Sequence, residues 1–600
     1  MCTVANNKPS FLTKTDASWK ERKQNWSPYS LLLLITKQLL MCNGYQILLR
    51  LVLWNFRFHT KVPSICRSFL GFFHFFFVFF FSITSYQSIS YLTDLRKPHI
   101  YAYMHLPFLL FLLPFLPFVA SFSTKPIHVV VISRHGVRTP YSPLGGDLKP
   151  EAFKPYSKRW KDFPVTAKEW GVPSIEGQLL TDHGKVVIKR MGTWFQSFYS
   201  ELFASPINCD TDIFFYADNC TRDVQTATEF LTGMAPTCAN NDISLHDAVI
   251  LFNQGGYTTS QCKLPTPEVI QSLLGGSKNQ YQAYNQAHAT FVNDIQDVID
   301  CCTGTEICNG VTPCTLSNIP TEFIGHFWSA VNGPVFLSGY FASYFTLAAL
   351  NNMTLGLVSY GSTLSEITSW YHAAGSTLDV IDGAASSPSF ASTLASHILA
   401  SLQQAATGKN IDAVEHGPET KFVYMAGHDT NLVLLRTLLD LTWLADGWKE
   451  NDPAPGGMLI FELYENDDNA KQYDVEIYFQ VATPKQIRNA EILDETSNQP
   501  SRTPVLLPGC LDLRCPLQNV TDIILLAVNT DCVGIPTLTN YIDTLINNNN
   551  NNEKQAPAWA FIIGAVGLVV VSVAIVVPLT LFFERSRIRR RNDDSYLLGE

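Results

Sequence analysis

The 600-residue chain is predicted to be an α/β protein with a mainly parallel sheet, helices on both faces, an inserted helical cap subdomain and one C-terminal transmembrane helix. Three observations predict this. Strand-like apolar runs alternate with segments of helical periodicity, the pattern of a parallel sheet with covering helices. The alternation breaks between about Asn240 and Tyr371, where Asn-, Gln- and Ser-rich helical segments hold most of the middle cysteines. Trp559 to Phe583 carries no charge and is long enough to cross a bilayer as a helix.

Taken in order, the first strand is the β-branched run Ile127 to Ser133. After a Pro-, Tyr- and Lys-rich loop, Val187, Ile188, Met191, Trp194, Phe195 and Phe198 recur at helical spacing, which predicts a helix from Thr181 to about Phe203. A strand over Asp212 to Ala217 then leads into a helix beginning near Thr221. Past the insertion come a helix from Ser389 to Ala406, a strand over Lys421 to Ala426 and a helix from Asn431 to about Leu441. Two more strands follow, Met458 to Tyr464 and Tyr473 to Val481, joined by a turn over Glu465 to Gln472. The core therefore occupies residues 124–239 and 372–535, with the cap over 240–371. The asparagine run Asn547 to Asn552 lacks apolar residues to bury, so 536–558 reads as a stalk.

The two ends point to a membrane protein with its folded domain in a lumen. Arg585, Arg587, Arg589, Arg590 and Arg591 follow the 559–583 span, which places the tail, 584–600, in the cytoplasm. Residues 104–123, beginning at Met104, have the short apolar core and small-residue exit of a signal peptide. Residues 1–103 look unlike a domain, and Phe69 to Phe81 is nearly all phenylalanine. Two hypotheses account for them: translated leader sequence upstream of a start at Met104, or a signal-anchor over Leu31 to Leu53 or Phe69 to Ile83. N-terminal sequencing of the native protein separates these. Asp593-Asp594-Ser595-Tyr596-Leu597-Leu598 fits an acidic dileucine sorting signal, with Asp593, Leu597 and Leu598 as its recognition residues, and implies a sorting adaptor and an endosomal or lysosomal membrane, or the cell surface.

A net charge of -10 argues against nucleic acid as a partner. Three of the 14 cysteines, Cys2, Cys42 and Cys66, lie upstream, which leaves an odd number in the lumenal part and implies one free thiol or an intermolecular bridge. An oxidising compartment favours disulfides. Cys510 and Cys515 are the easiest pair to name, because only a short loop joins them. Cys301, Cys302, Cys308 and Cys314 do not follow a zinc spacing and have no nearby histidine, so disulfides are favoured over metal there. Asn219, Asn352 and Asn519 each begin an Asn-x-Ser/Thr triplet and are candidate glycosylation sites.

Three strand ends carry the chemistry. The first delivers Arg134-His135-Gly136-Val137-Arg138-Thr139-Pro140, a histidine between two arginines. Imidazole can attack phosphorus directly, and the guanidinium fork matches phosphate oxygens. Alone, Arg-His-Gly reads more readily as an ordinary strand-to-turn junction with one surface histidine. The second strand ends in Asp218-Asn219-Cys220-Thr221-Arg222 and the third in Gly427-His428-Asp429-Thr430-Asn431. Arg222 alone reads equally as a solvated residue on a helix's first turn, and Asp429 as an N-cap. Jointly the bland readings weaken, because α/β sites gather at the carboxyl ends of strands.

On these residues the chain resembles the histidine acid phosphatase family of the histidine phosphatase superfamily, with its Arg-His-Gly-x-Arg-x-Pro motif and distal His-Asp pair. The resemblance covers about Ile127 to Leu517 and takes in Gly177 to Gly184, Ala426 to Leu432, Gly456 to Leu463 and Leu507 to Cys510 with Cys515 to Leu517. The last of these, with the C-terminal span, is similar to lysosomal-type acid phosphatases, and Ala426 to Leu432 also resembles bacterial phytases and glucose-1-phosphatases.

The resemblance implies hydrolysis of phosphomonoesters without metal or other cofactor. His135 would be the nucleophile that becomes phosphohistidine. Arg134, Arg138, Arg222 and His428 would hold the phosphate, and Asp429 would protonate the leaving group and then assist water. An acid pH optimum follows, since Asp429 has to carry a proton while His135 stays neutral. A membrane-bound acid phosphatase is the first expectation. Alternatives are a phytase-like inositol polyphosphate phosphatase and a catalytically inactive receptor with the same fold; the intact motifs disfavour the last. A homodimer is compatible with the sequence.

Overall fold

The structure is a computed structural model that describes residues 125–555, apart from Leu144, 176–177, 204–205, Asp242, most of 246–279, 327–328, 354–363, 371–383 and 467–471. The signal at 104–123, residues 1–103, the span at 559–583 and the tail with Asp593, Leu597 and Leu598 lie outside the described residues. Among the described residues no helix is long and apolar enough to cross a membrane.

The core is one sheet. In chain order its principal strands are β1 (His128–Arg134), β2 (Ile213–Ala217), β5 (Phe422–Gly427), β6 (Met458–Glu465), β7 (Tyr473–Val481) and β8 (Ser501–Val505), with the short β9 (Cys515–Pro516). Their spatial order is β2-β5-β1-β6-β7-β8, and β9 pairs with β7. Only β2–β5 and β5–β1 are parallel; β1–β6, β6–β7, β7–β8 and β7–β9 are antiparallel. The sheet is therefore mixed rather than mainly parallel. The consecutive strands β6 and β7 are joined by residues 466–472, too short a stretch for the crossover that parallel pairing needs, and so they pair antiparallel.

Helices cover both faces, and the side-chain alternation of β2 shows it. Phe215 lies 5.2 Å from the Tyr424 ring, itself stacked at 4.2 Å on Phe230 of helix α2 (Thr221–Met234). The next residue, Tyr216, points the other way and meets His397 of α6 (Ala384–Thr407) at 5.3 Å. On the first face α2 crosses α1 (Asp182–Phe198) at very close range: a Cβ on Gly233 would stand 2.0 Å from the Lys189 carbonyl oxygen. Only hydrogen fits there. The Thr181 hydroxyl caps α1 by accepting from the Gly184 N–H, and α1 ends at Phe198, short of the expected Phe203.

The inserted region is not purely helical. It contains α3 (Gln280–Ala287), α4 (Ala289–Ile299) and α5 (Pro334–Leu350), but also an antiparallel hairpin of β3 (Glu322–His326) and β4 (Ser329–Asn332). Helix α5 is buried around most of its girth. Its Phe341 and Tyr344 pack on Phe153 and Phe163, so the insertion shares a core with the loop that follows the first motif. The expected stalk also differs. Helix α8 (Leu517–Ala527) is followed by α9 (Pro536–Gln555), which runs through the asparagine tract. Leu538 and Ile542 are fully buried, with Tyr541, Leu545 and Ile546 packed against the core. That apolar stripe nucleates the helix, and asparagine, a weak but tolerated helix former, extends it.

Disulfides join Cys510 to Cys515, as expected, and pair the middle cluster as Cys301–Cys302 and Cys308–Cys314. Cys209–Cys238 and Cys262–Cys532 are further pairs, the second tying the insertion to the segment before α9. Asn219, Asn352 and Asn519 are all exposed.

Candidate active site

The first motif leaves the sheet at its centre. Strand β1 is buried along its whole length between β5 and β6. Just beyond it the His135 N–H donates to the Gly427 carbonyl at 2.8 Å, and the Gly456 N–H donates to the His135 carbonyl at 3.0 Å. Both neighbouring strands thus pin the turn. The Gly136 N–H donates to Thr226 Oγ1 of α2 at 3.1 Å. On the far side Thr139 N–H donates to the Leu179 carbonyl, and Thr181 N–H to that of Val137, each at 3.1 Å. Helix α1 begins directly on this loop: a Cβ at Gly184 would lie 2.2 Å from the Val137 oxygen.

This frame sets the state of His135. Its Nδ1–H donates to the Gly136 carbonyl at 2.9 Å, which assigns the proton to Nδ1 and leaves the lone pair on Nε2. Arg138 Nε stands 3.4 Å from that nitrogen. Burial pushes the His135 pKa well below its ordinary value, and the charges of Arg222, Arg138 and Arg134 push it further. A buried imidazole that stays neutral into the acid range, with its Nε2 lone pair met by Arg138 Nε at a long 3.4 Å, is chemically a nucleophile.

Three arginines surround it, all nearly buried. Arg134 donates from Nη1 to the Pro453 carbonyl at 2.7 Å and pairs through Nη2 with Asp429 Oδ2 at 2.9 Å. Arg138 donates to the Thr139 carbonyl at 2.7 Å and lies 4.4 Å over the Tyr141 ring, whose backbone carbonyl accepts from the Tyr340 hydroxyl of α5. Arg222, in the first turn of α2, donates from Nη1 to Gln178 Oε1 and from Nη2 to His428 Nδ1, both at 3.0 Å. Burying three guanidinium groups in one place is costly unless an anion joins them, and the fork geometry suits a tetrahedral oxyanion.

The third strand end supplies the remaining groups. Helix α7 (Asp429–Leu439) starts immediately after β5, with Asn431 Oδ1 accepting from the His428 N–H at 2.8 Å. His428 donates from Nε2 to Asp218 Oδ2 at 2.6 Å, so its ring is held from both sides by residues of other elements. Burial, and then Arg222, lower its pKa to about 4. Asp429 accepts from the Thr430 N–H at 3.0 Å, and its side chain is 26% exposed. Burial raises its pKa, but Arg134, His428 and Arg138 outweigh that and hold it below the usual carboxylate value. The His135 and His428 rings stand edge to face with centroids 5.8 Å apart.

The structure brings together all six residues singled out from the sequence: Arg134, His135, Arg138, Arg222, His428 and Asp429. Sequence reasoning missed Gln178, Asp218, Asp223 and Asn431 as members of the site. Asp218 sat visibly at a strand end, but nothing local marks it as a partner of a histidine 210 residues away. Asp223 looked like a routine acidic residue in a helix's first turn. Asp218, Cys220, Asp223 and His428 place four ligand-type atoms within 4.8 Å of one another. Cys220 is disulfide-bonded and so offers no thiolate, and the Arg222 guanidinium already supplies the cation beside Asp223 and His428.

A sequence profile of the histidine phosphatase superfamily (branch 2) matches residues 127–480. Phytase AppA of Escherichia coli (strain K12) is 26% identical over 453 residues, covering 70% of this chain and 96% of that protein. Glucose-1-phosphatase of Salmonella typhimurium is 24% identical over 414 residues, covering 66% and 91%. Among solved structures, Hafnia alvei phytase in complex with myo-inositol hexakis sulphate superposes with a TM-score of 0.55 at 20% identity, over 68% of this chain and 98% of that one. Citrobacter braakii phytase gives 0.54 at 21%, with the same coverage. At these identities the solved structures establish the likeness of fold.

Proposed function

This chain belongs to the histidine phosphatase superfamily, branch 2, and is a phosphomonoesterase; we propose that it is a membrane-bound acid phosphatase working through a phosphohistidine on His135. One observation carries the mechanism: His135 holds its proton on Nδ1 and presents its Nε2 lone pair to Arg138, among the charges of Arg134, Arg138 and Arg222.

In the proposed sequence His135 Nε2 attacks phosphorus in line, the N–P bond forms and the ester P–O bond breaks. Asp429 gives its proton to the departing alkoxide. Water then attacks the phosphohistidine, Asp429 takes the proton, and the N–P bond breaks to release phosphate and restore the ring. The three arginines offset charge on the equatorial oxygens. Asp429 rests ionised against Arg134, so it acquires its proton as the substrate's negative charge compensates the arginines. Low pH favours that step.

A second substrate reading, an inositol polyphosphate phosphatase, is supported by the phytase relatives. Hydrolysis by the purified protein of myo-inositol hexakisphosphate against simple alkyl and aryl phosphates, with chelator present, decides between them. Preference for the hexakisphosphate would replace the general acid-phosphatase reading, and loss of activity in chelator would remove the metal-free mechanism.

The apolar span at 559–583, its arginine-rich flank and the leader at 104–123 support a type I membrane topology with the catalytic domain lumenal. Asp593, Leu597 and Leu598 support endosomal or lysosomal sorting. Alanine at Leu597 and Leu598 is expected to shift the protein to the cell surface, and an unchanged distribution refutes the sorting role.

A further inference from the structure

Behind the phosphate-binding groups lies a carboxyl that the reaction as written does not use. Asp223, the third residue of α2, has no exposed surface, and neither of its oxygens has a hydrogen-bond partner. Its Oδ2 stands 3.8 Å from Arg222 Nε and 3.5 Å from His428 Nε2. The proton on His428 Nε2 already goes to Asp218 at 2.6 Å, so Asp223 is a second, competing acceptor.

We propose that Asp223 is a positioning residue whose ionisation sets phosphate affinity: as a carboxylate it draws Arg222 back from the phosphate, and as a neutral acid it releases that guanidinium. Burying a carboxylate without a hydrogen bond is strongly unfavourable, so its position favours the neutral form until the solution turns alkaline enough to remove the proton. The groups facing it come from each surrounding element: Arg222 on its own helix, Asp218 after β2, Tyr424 on β5, His428 and Asp429 at the start of α7, and Arg138 after β1. Burial raises its pKa well above the ordinary value; Asp218 and Asp429 add to this, while Arg222 and Arg138 oppose it without reversing it. The sign is then fixed. Falling pH adds the proton, removes a negative charge beside Arg222 and strengthens the grip on phosphate; rising pH does the reverse.

The test is inhibition by inorganic phosphate of aryl phosphate hydrolysis, in the full chain and in Asp223→Asn, between about pH 4 and about pH 8. Phosphate's own ionisation is common to both proteins and cancels in the ratio of inhibition constants. That ratio, wild type over variant, is expected near unity at the acid end and to rise about tenfold toward the alkaline end. The basic limb of kcat/KM moves upward in the variant. Asp223→Ser, also uncharged and smaller, gives the same pattern. A ratio that does not change with pH overturns the proposal. So does failure of both variants to fold, because a group that acts only through its charge is replaceable by its own amide.

Discussion

Arg222 donates from Nη2 to Nδ1 of His428 at 3.0 Å, joining the first turn of one helix to the end of a strand 206 residues later. The bond explains how a guanidinium and an imidazole share one site without repelling each other. The Nδ1 of His428 can accept only while the ring is neutral, and its pKa of about 4 keeps it so. Arg222 thereby fixes the ring's tautomer, Asp218 takes the remaining proton, and the guanidinium plane is oriented from the far side by Gln178.

His135→Ala is expected to abolish turnover while leaving the fold intact, because among the described residues the side chain's one hydrogen bond to backbone is to the adjacent Gly136 carbonyl. Rapid quenching of the wild type with a labelled phosphomonoester should trap a phosphoenzyme that survives alkali and decays in acid. Trapping the same adduct in His135→Ala would assign the nucleophile elsewhere.

Asp429→Asn keeps the shape but removes the proton donor. Alkyl phosphates, whose leaving groups need protonation, are expected to slow by about 10²–10⁴-fold, and activated aryl phosphates far less. Equal slowing of both classes refutes the acid role, since loss of the 2.9 Å contact to Arg134 would affect every substrate alike.

At the other side of β1, Glu462 is buried and accepts from Arg502 Nη2 at 2.8 Å, from Tyr464 at 2.7 Å and from the Tyr199 hydroxyl. Arg502 also lies 3.7 Å over the Tyr478 ring. Glu462→Ala leaves that guanidinium its bond to Gln480 Oε1 at 3.0 Å but removes the carboxylate that pairs it, and is expected to cost about 3–5 kcal/mol in denaturant unfolding. A loss under about 1 kcal/mol would mean that Arg502 finds water or another partner instead.

Three further histidines, His128, His397 and His416, cluster below the sheet, with ring centroids 5.9 and 6.3 Å apart. Burial lowers the pKa of His128 and of His397 to about 4, and that of His416 well below its ordinary value. The unfolded chain takes up these protons near pH 6.5 while the folded chain resists, so stability is full above the unfolded value and falls as pH drops toward the folded ones. Each of the two shifts to about 4 corresponds to roughly 3 kcal/mol. Melting temperature is expected to decline steadily through this interval, and His397→Phe to flatten the decline. A variant whose acid profile matches wild type would clear this cluster of responsibility.

The α/β class, the strand carrying each motif and the six candidate residues were legible in the sequence because each signal is local. An apolar run ending in Arg-His-Gly needs no tertiary information to read as a strand end, and neither does Thr181 before a periodic helix. Strand direction was not local. The antiparallel insertion of β6 beside β1 depends on sheet order, which hydrophobic pattern does not encode, and so the sheet proved mixed. The asparagine-rich α9 misled for a related reason: its composition is polar, yet Leu538 and Ile542 find a core to enter.

The sequence by itself determined which residue types arrive at the strand ends, and with them the phosphoryl chemistry, since nucleophile, guanidinium and acid are properties of side chains. Tertiary structure alone decided their states. The Gly136 carbonyl selects the tautomer of His135, Asp218 and Arg222 select that of His428, and Arg134 holds Asp429 ionised. Asp223 acquires its unpartnered burial only when α2 closes on the ends of β1 and β5. Protonation and orientation are set by burial and by contacts between residues far apart in the chain, and those exist only once it has folded.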